Sequence, residues 1–176
     1  MEMPEERLTA ATFEELAMPL FDQLYNFAHW LARDPAEAED LVQETYAKAL
    51  RGFSSFQPGT NFRAWMYRIL RNTFLTSRSG LKETVPLDLA DDAEVPARSD
   101  TPETILLERS QQQLLQTAME ELPLPFREIL LLCEVEEMSY QEIADTLSVP
   151  IGTVMSRLSR ARTGLREVLR RKLKRT

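Results

Sequence analysis

Basic and small polar residues are concentrated near the end of the chain, in a spacing that suits contact with a polyanion. Residues 151–176 carry nine lysines and arginines against one acid, a net charge of +8. The start of a predicted helix presents four polar candidates away from its apolar positions: Thr153, Ser156, Arg157 and Arg160. In the major groove, arginine bridges the acceptors of guanine, and hydroxyl groups bond bases or phosphates. We therefore expect these residues to contact duplex DNA.

The elements that must position these residues form a helix-turn-helix pattern. Ser139 and Glu142 make a predicted capping box, which starts a short helix ending near Leu147. After a tight turn at 148–150 a second helix begins, and its apolar residues are predicted to point inward: Ile151, Val154, Leu158, Ala161, Leu165 and Val168. Such a pair of helices is typical of DNA-binding motifs. The alternative, a plain helical hairpin with a solvated arginine face, is disfavoured by the turn spacing and the charge together.

A second basic segment lies in the first half of the chain. Residues 51–80 hold five arginines and no acid, a net charge of +5, with aromatic residues among them. Rings that stack on bases and guanidinium groups that pair with phosphates suit single-stranded nucleic acid. The loop at 56–61 could hold a base turned out of the stack. Trp65 shares the apolar spacing of the following helix and is expected to be structural.

Six polar residues of this segment are the candidates for contact with nucleic acid. Arg71 and Asn72 are predicted to lie on the exposed side of the helix, opposite its apolar residues. The full set is Gln57, Asn61, Arg63, Arg68, Arg71 and Asn72.

An acidic face is predicted on an earlier helix, which starts at Asp34-Pro35. Its polar residues recur at spacings of three and four: Glu37, Asp40, Gln43 and Glu44. Unpaired carboxylates at this spacing repel one another. The alternative is a simple solvated face. The acids indicate a binding surface only if a basic protein partner exists.

The helical spacing predicts an all-α fold of two small helical domains joined by a flexible acidic linker. The domains are expected at residues 1–80 and 101–176, the second containing the helix-turn-helix. The linker at 81–100 loses the apolar periodicity and is rich in acids. Pro19 is expected to interrupt the first helical stripe, and a cap at Thr101-Pro102 to open the second domain.

Several function classes are disfavoured by composition. A single cysteine and a single histidine argue against a metal site and against catalysis by histidine, and no phosphate-binding glycine loop is found. Cys133 is expected to pack in a core. The longest apolar run is too short to cross a bilayer, and no secretory signal is recognisable at the start. We expect a cytoplasmic protein without membrane insertion, cofactor or enzymatic activity.

Taken together, three motifs resemble the extracytoplasmic-function (ECF) sigma factors of bacteria, compact initiation subunits of RNA polymerase in the sigma-70-type family. Residues 34–45 (DPAEAEDLVQET) resemble their polymerase-clamp-binding segment. Residues 61–73 (NFRAWMYRILRNT) resemble their minus-ten recognition and melting helix. Residues 139–144 (SYQEIA) and 152–162 (GTVMSRLSRAR) resemble their minus-thirty-five helix-turn-helix.

The resemblance implies partners for each motif. Asp40, Gln43 and Glu44 would face basic clamp helices of core RNA polymerase. The loop from 57 to 61 would capture a flipped base of the non-template strand, and Asn72 with nearby arginines would hold the melted strand. The acidic linker would thread toward the RNA exit path.

The resemblance also implies that Ser156, Arg157 and Arg160 read the upstream promoter element in duplex DNA. An anti-sigma factor is an implied protein partner, and a stress response an implied setting. The chain departs from the family pattern at Met155, where lysine or arginine is common, and at Ser148, where glycine is common. The rival hypothesis is a helix-turn-helix regulator that binds duplex DNA without polymerase, which leaves the first basic segment and the acidic face unexplained.

Overall fold

The computed structural model of the chain describes residues 13–79 and 107–175. The chain divides into two compact units, an N-terminal one containing residues 13–79 and a C-terminal one containing most of residues 107–175. Every regular element within these described ranges is a helix, which confirms the predicted all-α class. The predicted linker at 81–100 and the predicted cap at Thr101-Pro102 lie outside the described residues.

The N-terminal unit is a small bundle of helices. Its segments in chain order are α1 (residues 13–17), a 3-10 turn (Met18–Leu20), α2 (Phe21–Ala32), α3 (Pro35–Gly52), a second 3-10 turn (Phe53–Ser55) and α4 (Phe62–Ser79). The first 3-10 turn contains Pro19, which separates α1 from α2 as predicted, because proline has no amide hydrogen to continue a helix. Helices α2, α3 and α4 pack against one another around a core that includes Leu24, Phe27, Val42, Met66, Tyr67 and Leu70.

Two local signals set the boundary between α2 and α3. Arg33 ends α2 in the left-handed region, with φ of 63°, and donates its backbone N–H to the carbonyl oxygen of His29 at 2.7 Å. Asp34 then caps α3, because its Oδ1 accepts from the N–H of Ala36 at 3.1 Å. Pro35 fills the first helical position, so the predicted start of this helix is confirmed.

A half-buried phenol ties α3 to α1. The hydroxyl of Tyr46 donates to the carbonyl oxygen of Ala17 at 2.6 Å. Burial, followed by the charge of Asp22, raises the pKa of Tyr46 to about 12. The phenol therefore stays protonated at neutral pH and remains a donor to the carbonyl oxygen of Ala17.

The C-terminal unit is organised around its longest helix. The helices of residues 107–175 are, in chain order, α5 (Leu107–Glu121), α6 (Leu124–Leu130) with a π-helical turn (Leu131–Val135), α7 (Tyr140–Leu147) and α8 (Ile151–Lys174). Helix α8 packs against α5 and α6. A Cβ at Gly164 would lie 3.4 Å from Leu122 Cδ2, so glycine permits this close packing.

An ion pair fixes the far end of α8. Lys172 Nζ lies 2.6 Å from Oε1 of Glu121, the last residue of α5. The carboxylate of Glu121 is buried, and its Oε2 also lies 4.0 Å from Nη2 of Arg171, so two basic residues of α8 offset its charge. The pair holds α8 against α5 near the end of both helices.

The helix-turn-helix elements form as predicted. Ser139 donates its backbone N–H to Glu142 Oε1 at 3.1 Å, and Ser139 Oγ accepts from the N–H of Glu142 at 3.1 Å. This reciprocal pair is the predicted capping box at the start of α7. The turn that follows places Ser148 in the left-handed region, with φ of 57°. Serine thus occupies a backbone conformation that favours glycine.

We expect Ser148→Gly to stabilise the chain by about 1 kcal/mol, because glycine removes the cost of a left-handed conformation. Urea denaturation followed by circular dichroism would measure the change. Ser159→Gly is the matched control, since Ser159 is exposed in the middle of α8. The control should lower stability by about 0.5 kcal/mol, since glycine has a lower helix propensity than serine. A decrease for both variants would contradict a strained turn at Ser148.

Candidate functional site

An aromatic cluster anchors the loop before α4. The ring centroid of Phe56 lies 5.1 Å from that of Trp65 and 5.3 Å from that of Phe62. The rings of Phe62 and Trp65 are 5.6 Å apart, and Phe53 lies 6.1 Å from Phe62. Such tilted and edge-on contacts add to the energy of burial. Trp65 therefore has the structural role predicted for it. The packed rings hold both ends of the loop, at Phe56 and at Phe62.

A tight turn shapes the loop itself. The backbone N–H of Thr60 donates to the carbonyl oxygen of Gln57 at 3.2 Å, and Thr60 Oγ1 donates to the same oxygen at 2.7 Å. Gly59 has φ of 90° and follows Pro58, the sequence and conformation of a type II turn. The side chain of Gln57 is exposed at this turn.

Asn61 joins the loop to α4. Its Oδ1 accepts from the backbone N–H of Ala64 at 3.0 Å, which caps the helix. The side chain is nevertheless exposed. Asn61 thus has a structural task in addition to the contact with DNA predicted for it.

The candidate residues on α4 differ in exposure. Asn72 is exposed, while Arg63 and Arg68 are half-buried. The Nε atoms of both arginines are buried, so part of each guanidinium group is shielded from solvent.

The prediction that Arg71 lies on the exposed side of α4 is wrong. Only 7% of this residue is exposed. Arg71 follows Tyr67 by four residues and precedes Phe74 by three, and both aromatic residues are buried. Residues at these spacings share one face of a helix, so Arg71 lies on the packed side of α4. Its role is therefore in the packing of α4 within the N-terminal unit.

The acidic face of α3 forms opposite its buried residues. Asp40, Gln43 and Glu44 are exposed along this face. Glu37 is half-buried and lies 2.8 Å from Arg78 of α4, while Glu44 lies 3.4 Å from Lys48. The prediction of unpaired carboxylates is therefore wrong for Glu37 and Glu44. Glu37 links two helices of the bundle.

The candidate residues at the start of α8 also divide by burial. Ser156 and Arg160 are exposed, and Thr153 is half-buried. Ser156 Oγ donates to the carbonyl oxygen of Thr153 at 3.2 Å. The first turn of α8 contains no acid and has no side-chain cap, so its positive end is open to an anion.

Arg157 does not lie on the exposed side predicted for it. Only 7% of this residue is exposed. It follows Val154 by three residues and precedes Ala161 by four, and both are buried on the same face. Direct contact between Arg157 and a base edge is therefore disfavoured by its place on the helix.

Two apolar residues of α8 were not predicted as surface features. Ile151 was expected to point inward, yet it is 45% exposed. Met155, one turn later, is 55% exposed. Side chains in a helix tilt toward its N-terminus, so that of the first residue extends beyond the packed core. Of the other residues predicted to point inward, Val154, Leu158, Ala161 and Val168 are buried, and Leu165 is half-buried.

Arg162 is engaged on the protein side of α8. Its Nη2 donates to Glu134 Oε1 at 3.0 Å and to Cys133 Sγ at 3.6 Å. Burial raises the pKa of the Cys133 thiol, which disfavours the reactive thiolate. The cysteine lies against Arg162 of α8 and is half-buried, so it is less enclosed than the core position predicted for it.

Within residues 13–79 and 107–175, the structure contains no group of three or more histidine, cysteine or acidic side chains placed to hold a metal ion. No helix in the described part of the chain has the length and apolar character needed to cross a membrane.

Family comparisons cover both units of the chain. Residues 16–83 match the family Sigma-70 region 2, and residues 112–165 match the family Sigma-70, region 4. The first match contains the acidic face of α3, the loop and α4. The second contains the helix-turn-helix.

Similar proteins extend this result over most of the chain. The ECF RNA polymerase sigma factor EcfG of Rhodopseudomonas palustris is 34% identical over 163 residues, which cover 86% of this chain and 88% of that protein. The ECF RNA polymerase sigma factor SigE of Mycolicibacterium smegmatis is 39% identical, and the match covers 90% of this chain and 65% of that protein.

A solved structure agrees with these matches. The sigma factor RpoE of Bartonella quintana, crystallised with the anti-sigma factor NepR, has a TM-score of 0.70 and 31% identity, covering 90% of this chain and 97% of that one. The fold also resembles that of CnrH, solved with the cytosolic domain of CnrY, with a TM-score of 0.61. The chain belongs to the ECF sigma factors of the sigma-70 family.

Proposed function

We propose that this chain is an alternative sigma factor that binds core RNA polymerase, recognises promoter elements and helps to melt DNA at the start of transcription. The observation that carries the proposal is the presence of both sigma regions on one chain, each with exposed polar residues suited to its partner. The chain acts in the cytoplasm, has no catalytic activity of its own and needs no cofactor. A regulator that binds duplex DNA alone would not need a sigma region 2, the region that residues 16–83 match.

The exposed acidic face of α3 is the proposed contact with core polymerase. Asp40, Gln43 and Glu44 present carboxylates and an amide away from the bundle core. A basic surface on the polymerase would complement this charge and steer association. Glu37 has a smaller part in the proposal, because its carboxylate already pairs with Arg78.

The loop at 57–61 and the exposed side of α4 are the proposed contact with melted DNA. Gln57 and Asn61 are exposed beside the aromatic cluster, and Asn72 is exposed further along α4. Arg63 and Arg68 supply positive charge next to the loop. We assign Arg71 the role of supporting α4, in view of its burial.

The start of α8 is the proposed contact with the upstream promoter element. Ser156 and Arg160 are exposed, and the open helix N-terminus suits a backbone phosphate. Thr153 is half-buried and can reach the same groove with its hydroxyl. Arg157 positions the helix from its buried side.

The proposed domain boundaries follow from the sequence pattern and are supported by the two family matches. The first domain spans residues 1–80, the acidic linker 81–100 and the second domain 101–176. An anti-sigma factor is a proposed partner, because the similar sigma factor RpoE was crystallised with one.

Abortive transcription tests this function. Purified core polymerase is supplied with a random promoter library, with and without the full chain. Short transcripts from a defined subset of promoters should appear only when the chain is present. If the chain binds duplex DNA by itself but never supports transcript synthesis, the regulator hypothesis gives the better account.

A further inference from the structure

The first two turns of α8 carry an exposed apolar edge beside the residues proposed to read DNA. Ile151 and Met155 are four residues apart and therefore lie on the same edge of the helix. Ile151 is 45% exposed and Met155 is 55% exposed. Both lie next to exposed polar residues of a strongly basic helix, so neither a membrane nor a large apolar partner is the natural match.

The exposed face of α8 has two different sides. With 3.6 residues per turn, Met155 lies at one side of this face and Arg160 at the other. The residues between them are small: Gly152, Ser156 and Ser159. A helix with a small-residue centre can approach the floor of a groove closely, which brings both sides within reach of base edges.

Gly152 is consistent with such an approach. A Cβ at this position would meet no atom within 4 Å, and its backbone has no positive φ. Neither packing nor conformation within the chain requires glycine there, although glycine weakens a helix relative to alanine. Close contact with another molecule is one requirement that the absence of a side chain would satisfy.

The major groove offers one apolar group to such an edge. The C5-methyl group of thymine is absent from the other three bases, and apolar side chains recognise it by contact. We propose that Met155, assisted by Ile151, contacts thymine methyl groups in the upstream element and so contributes to promoter choice. This inference rests on the proposed function, because it assigns a base preference to the helix that we expect to enter duplex DNA.

The thioether side chain of Met155 suits a thymine methyl group better than it suits the polar groups of the other bases. An arginine at this position would add a phosphate or guanine contact, whereas methionine offers a flexible and polarizable thioether. Arg160 on the other side of the face retains the capacity to bridge guanine. The helix would therefore read hydrogen-bonding bases with one side and methyl groups with the other.

Uracil substitution tests this proposal, because deoxyuridine differs from thymidine only by the missing methyl group. The probe is a promoter duplex selected from the random library by polymerase reconstituted with the full chain. Each thymine of its upstream element is replaced singly by deoxyuridine, and the dissociation constant of the closed complex is measured by gel shift. At one or two positions, the loss of a buried methyl group should weaken binding by about fourfold.

Three variants make the assignment specific. Met155→Ala should bind the thymine and uracil probes equally, and Met155→Leu should keep the preference for thymine. Leu173→Ala is the matched control, because Leu173 is 59% exposed in the last turn of the same helix and should leave the preference unchanged.

The possible failures are distinguishable. If the wild-type holoenzyme binds every uracil probe as well as the thymine probe, the methyl contact is refuted while the sigma function stands. The same result is expected if the apolar edge instead docks a protein. If the holoenzyme selects no promoter duplex at all, the proposed function fails and this inference fails with it.

Discussion

Replacing Asp40 and Glu44 together with arginine should weaken association with core RNA polymerase by about 100-fold or more. Both side chains are exposed at the middle of the acidic face of α3. Reversal of two charges removes their attraction to a basic surface and adds repulsion in its place, which costs several kcal/mol at an interface. The fold should survive, because the core of the bundle receives the opposite face of α3.

A pull-down with core polymerase, read beside circular dichroism, measures this effect. Glu14→Arg with Glu15→Arg is the matched control, since it makes the same change in net charge at two exposed acids of α1. The control should bind as the wild type does. Equal weakening by both double variants would point to net charge rather than to α3, and wild-type binding by the Asp40 and Glu44 variant would remove the assignment.

The two paired acids of this face, Glu44 and Glu37, differ in the strength and role of their ion pairs. Lys48 lies 3.4 Å from Glu44, but both groups are exposed enough that solvent weakens the pair. The pair therefore leaves Glu44 available to a stronger partner. Glu37 differs, because its pairing partner Arg78 belongs to α4 and joins two helices. Reversal of Glu37 would mix a binding effect with a folding effect, so it is not included in the test.

The features that sequence could predict are those set by neighbouring residues. The cap at Asp34, the capping box of Ser139 and Glu142 and the break at Pro19 each depend on a few adjacent residues. Their chemistry acts locally, so the pattern and the structure agree. The same reasoning explains the left-handed turn at Ser148, which the family pattern of glycine indicated.

The features that sequence missed are two buried arginines and one ion pair between distant segments. Arg71 and Arg157 are predicted at the surface because they were assigned to the side of each helix that lies opposite its apolar residues. Each lies among buried apolar residues on its helix, and helical spacing alone could have placed them there. The pairing of Glu37 with Arg78 joins residues far apart in the chain, so no local pattern could have indicated it.

Burial also changes which residues are useful for testing DNA opening. A substitution at Arg71 would disturb the packed side of α4, and any loss of opening would be ambiguous. Asn61 offers a cleaner test, because its capping role and its proposed DNA contact use different properties of the side chain. Capping needs only the acceptor oxygen that bonds Ala64, whereas a contact with melted DNA depends on the amide donor and on the lack of charge.

Asn61→Asp should therefore reduce promoter opening by about tenfold or more while leaving the closed complex and the stability of the chain unchanged. Aspartate caps helices as well as asparagine does, and a negative charge is favourable at a helix N-terminus. The carboxylate cannot donate a hydrogen bond, and it repels the phosphates of the strand. Asn26→Asp is the matched control, since Asn26 is exposed on α2 and receives the same change in charge.

Arg160→Ala should produce the reverse pattern. Loss of a bidentate contact with a base costs roughly 1–3 kcal/mol, so closed-complex binding should fall by about tenfold while the opened fraction of bound promoter stays the same. Gel shifts of the holoenzyme measure the closed complex, and permanganate reactivity of unpaired thymines measures opening. Because Asn61 and Arg160 belong to different units of the chain, their effects on binding and opening should be independent. If Asn61→Asp opens promoters as the wild type does, or if both variants impair the same step, the proposed division of roles between the two regions is wrong.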